Sequence, residues 1–307
     1  MLLHTGSYVK GDRLMLRHAS LVVLALFATI GCSSSSDPQE EEPTASTSEE
    51  LVTCGWLAGG NCTNIPFGDW RSPYFWADVY LAKFAAQRRQ FNEHIEQGPA
   101  PLAKPRTVVL VTGVTIKAAW FDGIKARLER DGFHTVMYEP PALLTGDLFQ
   151  ASKDFGAFVD RVQKDSGDAK VDILAECTGG LISRYYIQSL GGDQHVSRLV
   201  TFVSPQHGIG VVPLVARLTG WHALYDLSPG SAFLHAVNDA PMSKTVPMTS
   251  IYTCTDEYIQ PFTSSAVPGA TNINLCGHGF IGHFQTMYDP QIYMMMHDAL
   301  VKDLPAP

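Results

Sequence analysis

Ala175-Glu176-Cys177-Thr178-Gly179-Gly180 is the stretch on which the reading of this chain turns. It follows an apolar run, residues 171–175, and opens a segment with helical periodicity, residues 179–190, so it sits at a strand-to-helix turn. Small residues on either side permit the sharp bend that exposes one central side chain, as in a G-x-S-x-G nucleophile turn. The central residue here is Cys177. A thiol at a helix N-terminus faces unpaired N–H groups and the positive end of the helix dipole, which favour thiolate. The adjacent Glu176 acts the other way, because one negative charge disfavours a second nearby. A buried structural cysteine at an ordinary turn is the competing reading.

Outward from this turn, short apolar runs alternate with amphipathic ones. Residues 107–112, 134–138, 171–175, 198–203 and 248–252 read as strands, several apolar enough for a sheet covered on both faces. Residues 120–130, 148–164, 179–190 and 291–304 read as helices. The alternation predicts an α/β fold with a mostly parallel, doubly wound sheet. Residues 208–238, with Trp221 and Phe233, interrupt the alternation and suit a short cap or lid insertion.

The order of the remaining chemistry matches the turn. Leu110-Val111-Thr112-Gly113-Val114 ends the first strand, which makes the backbone N–H groups of Val114 and Thr178 the candidate oxyanion donors. Asp256 follows the last strand and His283 comes after it in Gly282-His283-Phe284, so the chain order is nucleophile, acid, histidine. Glu257 is the alternative acid and His278 the alternative base; His207 reads as structural or pocket-lining. The other histidines, His297 among them, have no metal-ligand spacing, so neither a metal nor a cofactor is expected.

From about residue 107 onward the chain resembles secreted lipases of the lipase class 2 group and, in places, fungal lipase B. The resemblance is carried by the strand and Gly113 turn, Tyr138-Glu139-Pro140-Pro141, the Cys177 turn with Gly179-Gly180, and Ser204-Pro205-Gln206-His207-Gly208. Ser228-Pro229-Gly230-Ser231, Thr255-Asp256-Glu257-Tyr258-Ile259-Gln260-Pro261, and Cys276 seven residues before His283 complete it. It implies an α/β-hydrolase fold, a nucleophile at Cys177, an acid at Asp256, a base at His283, and hydrolysis of carboxylic esters that are often lipidic. The family pattern has serine where this chain has Cys177.

A thiolate leaves a tetrahedral adduct more readily than an alkoxide does. Activated esters, thioesters or acyl transfer are therefore expected over ordinary triglycerides, through a thioester acyl-enzyme. A lipid-binding or interaction protein that keeps the fold without catalysis is the competing function. A polymerising acyltransferase, which also uses cysteine at such a turn, fits poorly with export, because its coenzyme A thioesters are cytoplasmic.

The rest of the chain sets location and bulk chemistry. Arg17 and His18 precede the apolar stretch Leu21 to Ile30, too short to span a bilayer and suited to a signal-peptide core. Gly31-Cys32 follows, then Ser33 to Ser36 and an acidic stretch to Glu50. This predicts a lipoprotein signal over residues 1–31, lipidation at Cys32, a flexible tether over 32–50, and a cell-envelope location with a membrane anchor, or secretion if Cys32 is not lipidated. Residues 51–105 read as an extension in which Ala77, Tyr80, Leu81, Phe84, Phe91 and Ile95 recur at helical spacing, and residues 106–307 as the catalytic domain. In an oxidising compartment Cys54 with Cys62, and Cys254 with Cys276, are candidate disulfides. A balance of 22 basic and 30 acidic groups, net −8 without a basic cluster, gives no source of attraction to nucleic acid. An ester or acyl-lipid small molecule is the expected partner.

Overall fold

The structure is a computed structural model and describes residues 81–278 and 281–302. The expected signal segment, Cys32, the expected tether, and the Cys54 and Cys62 pair lie outside the described residues, as do Ala77 and Tyr80.

Six strands form one sheet: β1 (Arg106–Val111), β2 (Phe133–Tyr138), β3 (Val171–Glu176), β4 (Val196–Phe202), β5 (Met248–Tyr252) and β6 (Thr271–Asn274). Their order is β2-β1-β3-β4-β5-β6, and every pairing is parallel. All six side chains of β3 are buried, as are the five of β5, as expected of strands covered on both faces. The five strands expected from the sequence all form. β6 was not expected, because its exposed, polar Thr271-Asn272-Ile273-Asn274 carries no apolar signature; it is an edge strand held to β5 by backbone bonds.

The helices are α1 (Leu81–Glu93), α2 (Asp122–Arg130), α3 (Leu148–Ser166), α4 (Thr178–Ser189), α5 (Val212–Thr219), α6 (His222–Asp226), α7 (Ala232–Asn238) and α8 (Pro290–Val301). Local chemistry sets several ends. Asp147 caps α3 by accepting from Gln150 N–H at 2.8 Å, and Gly167 closes it in the left-handed conformation. Asp289 caps α8 through Gln291 and Ile292 N–H, with Pro290 at the first helical position. The 120–130 helix divides into a 3-10 turn, Ala118–Phe121, and α2. The interruption at 208–238 resolves into α5, α6 and α7.

The end of α1 is fixed to the core by Phe91. Its ring meets those of Tyr288 and Tyr293 edge-on, and Arg127 lies 4.1 Å over it while donating to the Phe91 carbonyl.

The strand order reverses direction between β1 and β3, since the chain leaves β1 outward to β2 and then crosses back. In open parallel sheets the crevice at the carboxyl ends beside such a reversal is the usual ligand site. Gly113 follows β1 there and Cys177 follows β3.

Candidate active site

Cys177 occupies the bend between β3 and α4 at φ 50° and ψ −125°, a backbone region that non-glycine residues rarely adopt and that costs on the order of 1–3 kcal/mol. The surroundings hold it there. Cys177 N–H donates to the Phe202 carbonyl at 3.1 Å, and its own carbonyl accepts from Gly180 N–H and from the Ser204 hydroxyl at 2.6 Å. Ala175, Glu176, Gly179 and Gly180 are buried around it. A Cβ on Gly179 would meet the Thr112 carbonyl oxygen at 2.8 Å, and one on Gly180 the Ser204 Oγ at 2.5 Å, so close packing requires both glycines.

The loop after β1 passes directly over this bend. A Cβ on Gly113 would lie 2.6 Å from Cys177 Cβ and 3.3 Å from its Sγ. Val114 therefore follows immediately on the loop that faces the thiol, and Thr178 is the first residue of α4, the two positions expected to supply oxyanion donors. Thr178 also brings its hydroxyl to 3.7 Å from the Cys177 sulfur.

Asp256 and His283 converge on the same place from 27 residues apart. Asp256 Oδ2 lies 2.8 Å from His283 Nδ1, while Asp256 Oδ1 accepts from Tyr258 and Ile259 N–H and so fixes the carboxylate. The two loops are joined twice through Thr255 Oγ1, which donates to the Ile281 carbonyl and accepts from Ile281 N–H. The Tyr258 and Phe284 rings each sit 5.2 Å from the imidazole. Glu257 is placed at the backbone of His283, accepting its N–H at 2.7 Å, and His278 is exposed; Asp256 and His283 are thus the acid and imidazole that meet. His207 binds the Ala266 carbonyl through Nε2 at 3.1 Å, a structural contact.

The second partner of the imidazole is Glu176. Its Oε1 lies 3.1 Å from His283 Nε2, and its Oε2 accepts Gly113 N–H at 2.6 Å. The sequence reading weighed Glu176 only for its effect on the thiol. The available signal was a carboxylate on a strand with both faces buried, which requires a partner.

These contacts set the ionisation. Burial pushes the Cys177 thiol up, Glu176 adds to the rise, and the hydrogen bond to His283 opposes it. For His283 burial opposes the charge, but Asp256 above all, with Cys177 and Glu176, raises it well above the ordinary 6.5. Both shifts favour the protonated forms of Cys177 and His283 in the folded site.

Cys254 and Cys276, the pair expected to bridge, lie next to each other with their sulfurs unjoined. Burial first and the neighbouring Cys276 thiol second push Cys254 up to about 11.

A family model for palmitoyl protein thioesterase matches residues 108–262, just over half of the chain, including Cys177 and Asp256. The chain belongs to the palmitoyl protein thioesterase family. Lipase B of Pseudozyma antarctica is 25% identical over 175 residues, covering 55% of this chain and 51% of that protein. The chain thus spans about half the length of the curated relative it matches. Among solved structures, Aspergillus fumigatus lipase B superposes with a TM-score of 0.58 at 20% identity, covering 68% of this chain and 56% of that one. The mature form of Bacillus licheniformis lipase BlEst2 gives 0.54 at 17% identity, covering 66% and 96%. This palmitoyl protein thioesterase family member has the α/β-hydrolase fold expected from its sequence, in the broad group of lipases and esterases.

Proposed function

We propose that this chain is a cysteine-dependent acyl hydrolase that cleaves long-chain acyl thioesters and activated esters through an acyl-Cys177 intermediate. The observation that carries the proposal is the convergence of Cys177, on a strained strand-to-helix bend, with an imidazole held by Asp256 at 2.8 Å.

The reaction starts when the Cys177–His283 pair gives up one proton, leaving thiolate beside imidazolium. The Cys177 sulfur attacks the acyl carbon, and Val114 and Thr178 N–H receive the charge that develops on its oxygen. The bond to the leaving thiol or alcohol breaks, and the leaving group takes the proton from His283 Nε2. Water then gives a proton to Nε2 and attacks the acyl-Cys177 carbon, releasing the acid and restoring the thiolate. A thioester substrate suits this site because attacking and leaving groups are both sulfur, so the adduct has no bias toward backward collapse. If the acceptor is an alcohol in place of water, the same intermediate gives acyl transfer.

The acyl chain has an apolar landing surface in the 208–238 insertion. Leu214 and Leu218, one turn apart on α5, are 50% and 61% exposed, and Tyr225 on α6 is 45% exposed. For the location we propose an envelope lipoprotein anchored through Cys32, supported by the apolar stretch Leu21 to Ile30 and the Gly31-Cys32 that follows it. Metabolic labelling with a fatty acid should disappear in Cys32→Ala.

The test of the catalytic proposal is turnover of a long-chain acyl thioester and an aryl ester by the purified protein, Cys177→Ala and Cys177→Ser. Loss in the first with turnover kept or increased in the second supports it. Turnover unaffected by Cys177→Ala overturns it.

A further inference from the structure

We propose that Glu176, Cys177 and His283 form a binding site for a zinc-class divalent cation, which would hold the thiol out of nucleophilic chemistry. This site stands whether or not Cys177 attacks an acyl carbon.

The donor set is one carboxylate, one sulfur and one imidazole nitrogen, all within 4.8 Å of one another. Bonds of about 2.0 Å to nitrogen and oxygen and about 2.3 Å to sulfur place the donors of a tetrahedral site roughly 3.3–3.6 Å apart. The separation of His283 Nε2 and Glu176 Oε1, 3.1 Å, already falls near that spacing. Three protein ligands with a fourth position left for water is the arrangement of an open zinc site. Cys177 is only half-buried.

The supports a metal site needs are also in place. Asp256 holds His283 Nδ1 at 2.8 Å, which turns Nε2 outward and raises its basicity, as carboxylates do for ligating histidines. Gly113 N–H fixes the Oε2 oxygen of Glu176 at 2.6 Å, so that Oε1 is the oxygen facing His283 Nε2. No histidine-rich spacing announced this site, because its donors come from one turn and a loop 107 residues away.

A thiol and an imidazole must shed their protons to ligate a metal, so binding must weaken as pH falls.

The test is titration of the purified, reduced full chain with Co²⁺ and Zn²⁺, read by absorption and by protection of Cys177 from alkylation. The expected result is one equivalent of Co²⁺ with a thiolate charge-transfer band, displaced by Zn²⁺. The band should vanish in Cys177→Ser, and affinity should fall about tenfold or more in Glu176→Gln. It should persist in Cys254→Ser/Cys276→Ser and in His222→Ala, which remove the adjacent thiol pair and a histidine of the Asp147, His222 and Asp226 cluster. If Cys177→Ser does not fold, judged by its thermal transition, Glu176→Gln and the alkylation protection decide. A band that survives Cys177→Ser, that disappears with Cys254 and Cys276, or an affinity unchanged by Glu176→Gln would overturn the site.

Discussion

Glu176 Oε1 lies 3.1 Å from His283 Nε2, on the opposite side of the imidazole from Asp256. The nucleophile's neighbour in sequence thus competes with the nucleophile for the nitrogen that carries its proton. The carboxylate adds to the upward shift of both groups, after burial for the thiol and after Asp256 for the imidazole.

Glu176→Gln should therefore move the rise of kcat/KM to lower pH. Both the Cys177 thiol and His283 are shifted upward, with Glu176 contributing to each, so the pair's first proton loss is moved to higher pH. Removing the carboxylate charge should bring that loss earlier. The same shift gives a stability signature. A histidine raised above its unfolded value of about 6.5 stabilises the fold fully below that pH and loses the contribution as pH rises through the folded value. Wild-type activity should accordingly climb where thermal stability begins to fall, and an acid-side pH profile identical in Glu176→Gln would refute the coupling.

Asp256→Asn should lower kcat by a factor on the order of 10⁴, because the amide supports the wrong imidazole tautomer and cannot balance its charge. The asparagine Oδ1 can still accept Tyr258 and Ile259 N–H, so the melting temperature should remain within a few degrees. Steady-state kinetics beside thermal melts separates the two effects.

Gly113→Ala should disable the site through sterics alone. The new methyl would sit 2.6 Å from Cys177 Cβ and 2.7 Å from Glu176 Oε2, forcing apart the loop after β1 and the bend after β3. A loss of about 1–3 kcal/mol in unfolding free energy is expected, with a larger proportional loss in kcat. Chemical denaturation and turnover measured on one preparation check both.

Leu214→Gln/Leu218→Gln should raise KM for long-chain substrates and leave short-chain ones unchanged. Both side chains are exposed, so their replacement should change stability by no more than about 0.5 kcal/mol. Equal effects on long and short chains would remove α5 from the acyl-binding surface.

The sheet was legible in the sequence because β1, β3, β4 and β5 are short runs rich in apolar residues, and the meeting of Asp256 with His283 followed from chain order in a known kind of fold. β6 was hidden because an exposed polar edge strand is defined by its neighbour's backbone rather than by its own side chains. The role of Glu176 was hidden for a related reason. Periodicity buried its side chain, but its partner lies 107 residues away across the sheet end, where only tertiary structure could place it.

The most direct measurement of the central claim is intact-protein mass spectrometry of an acid-quenched reaction with a long-chain acyl thioester, followed by peptide mapping. One acyl group is expected on Cys177, released by hydroxylamine and absent from Cys177→Ala. Continued turnover with no adduct on Cys177 at any quench time, or an adduct on another residue that forms equally in Cys177→Ala, would contradict it.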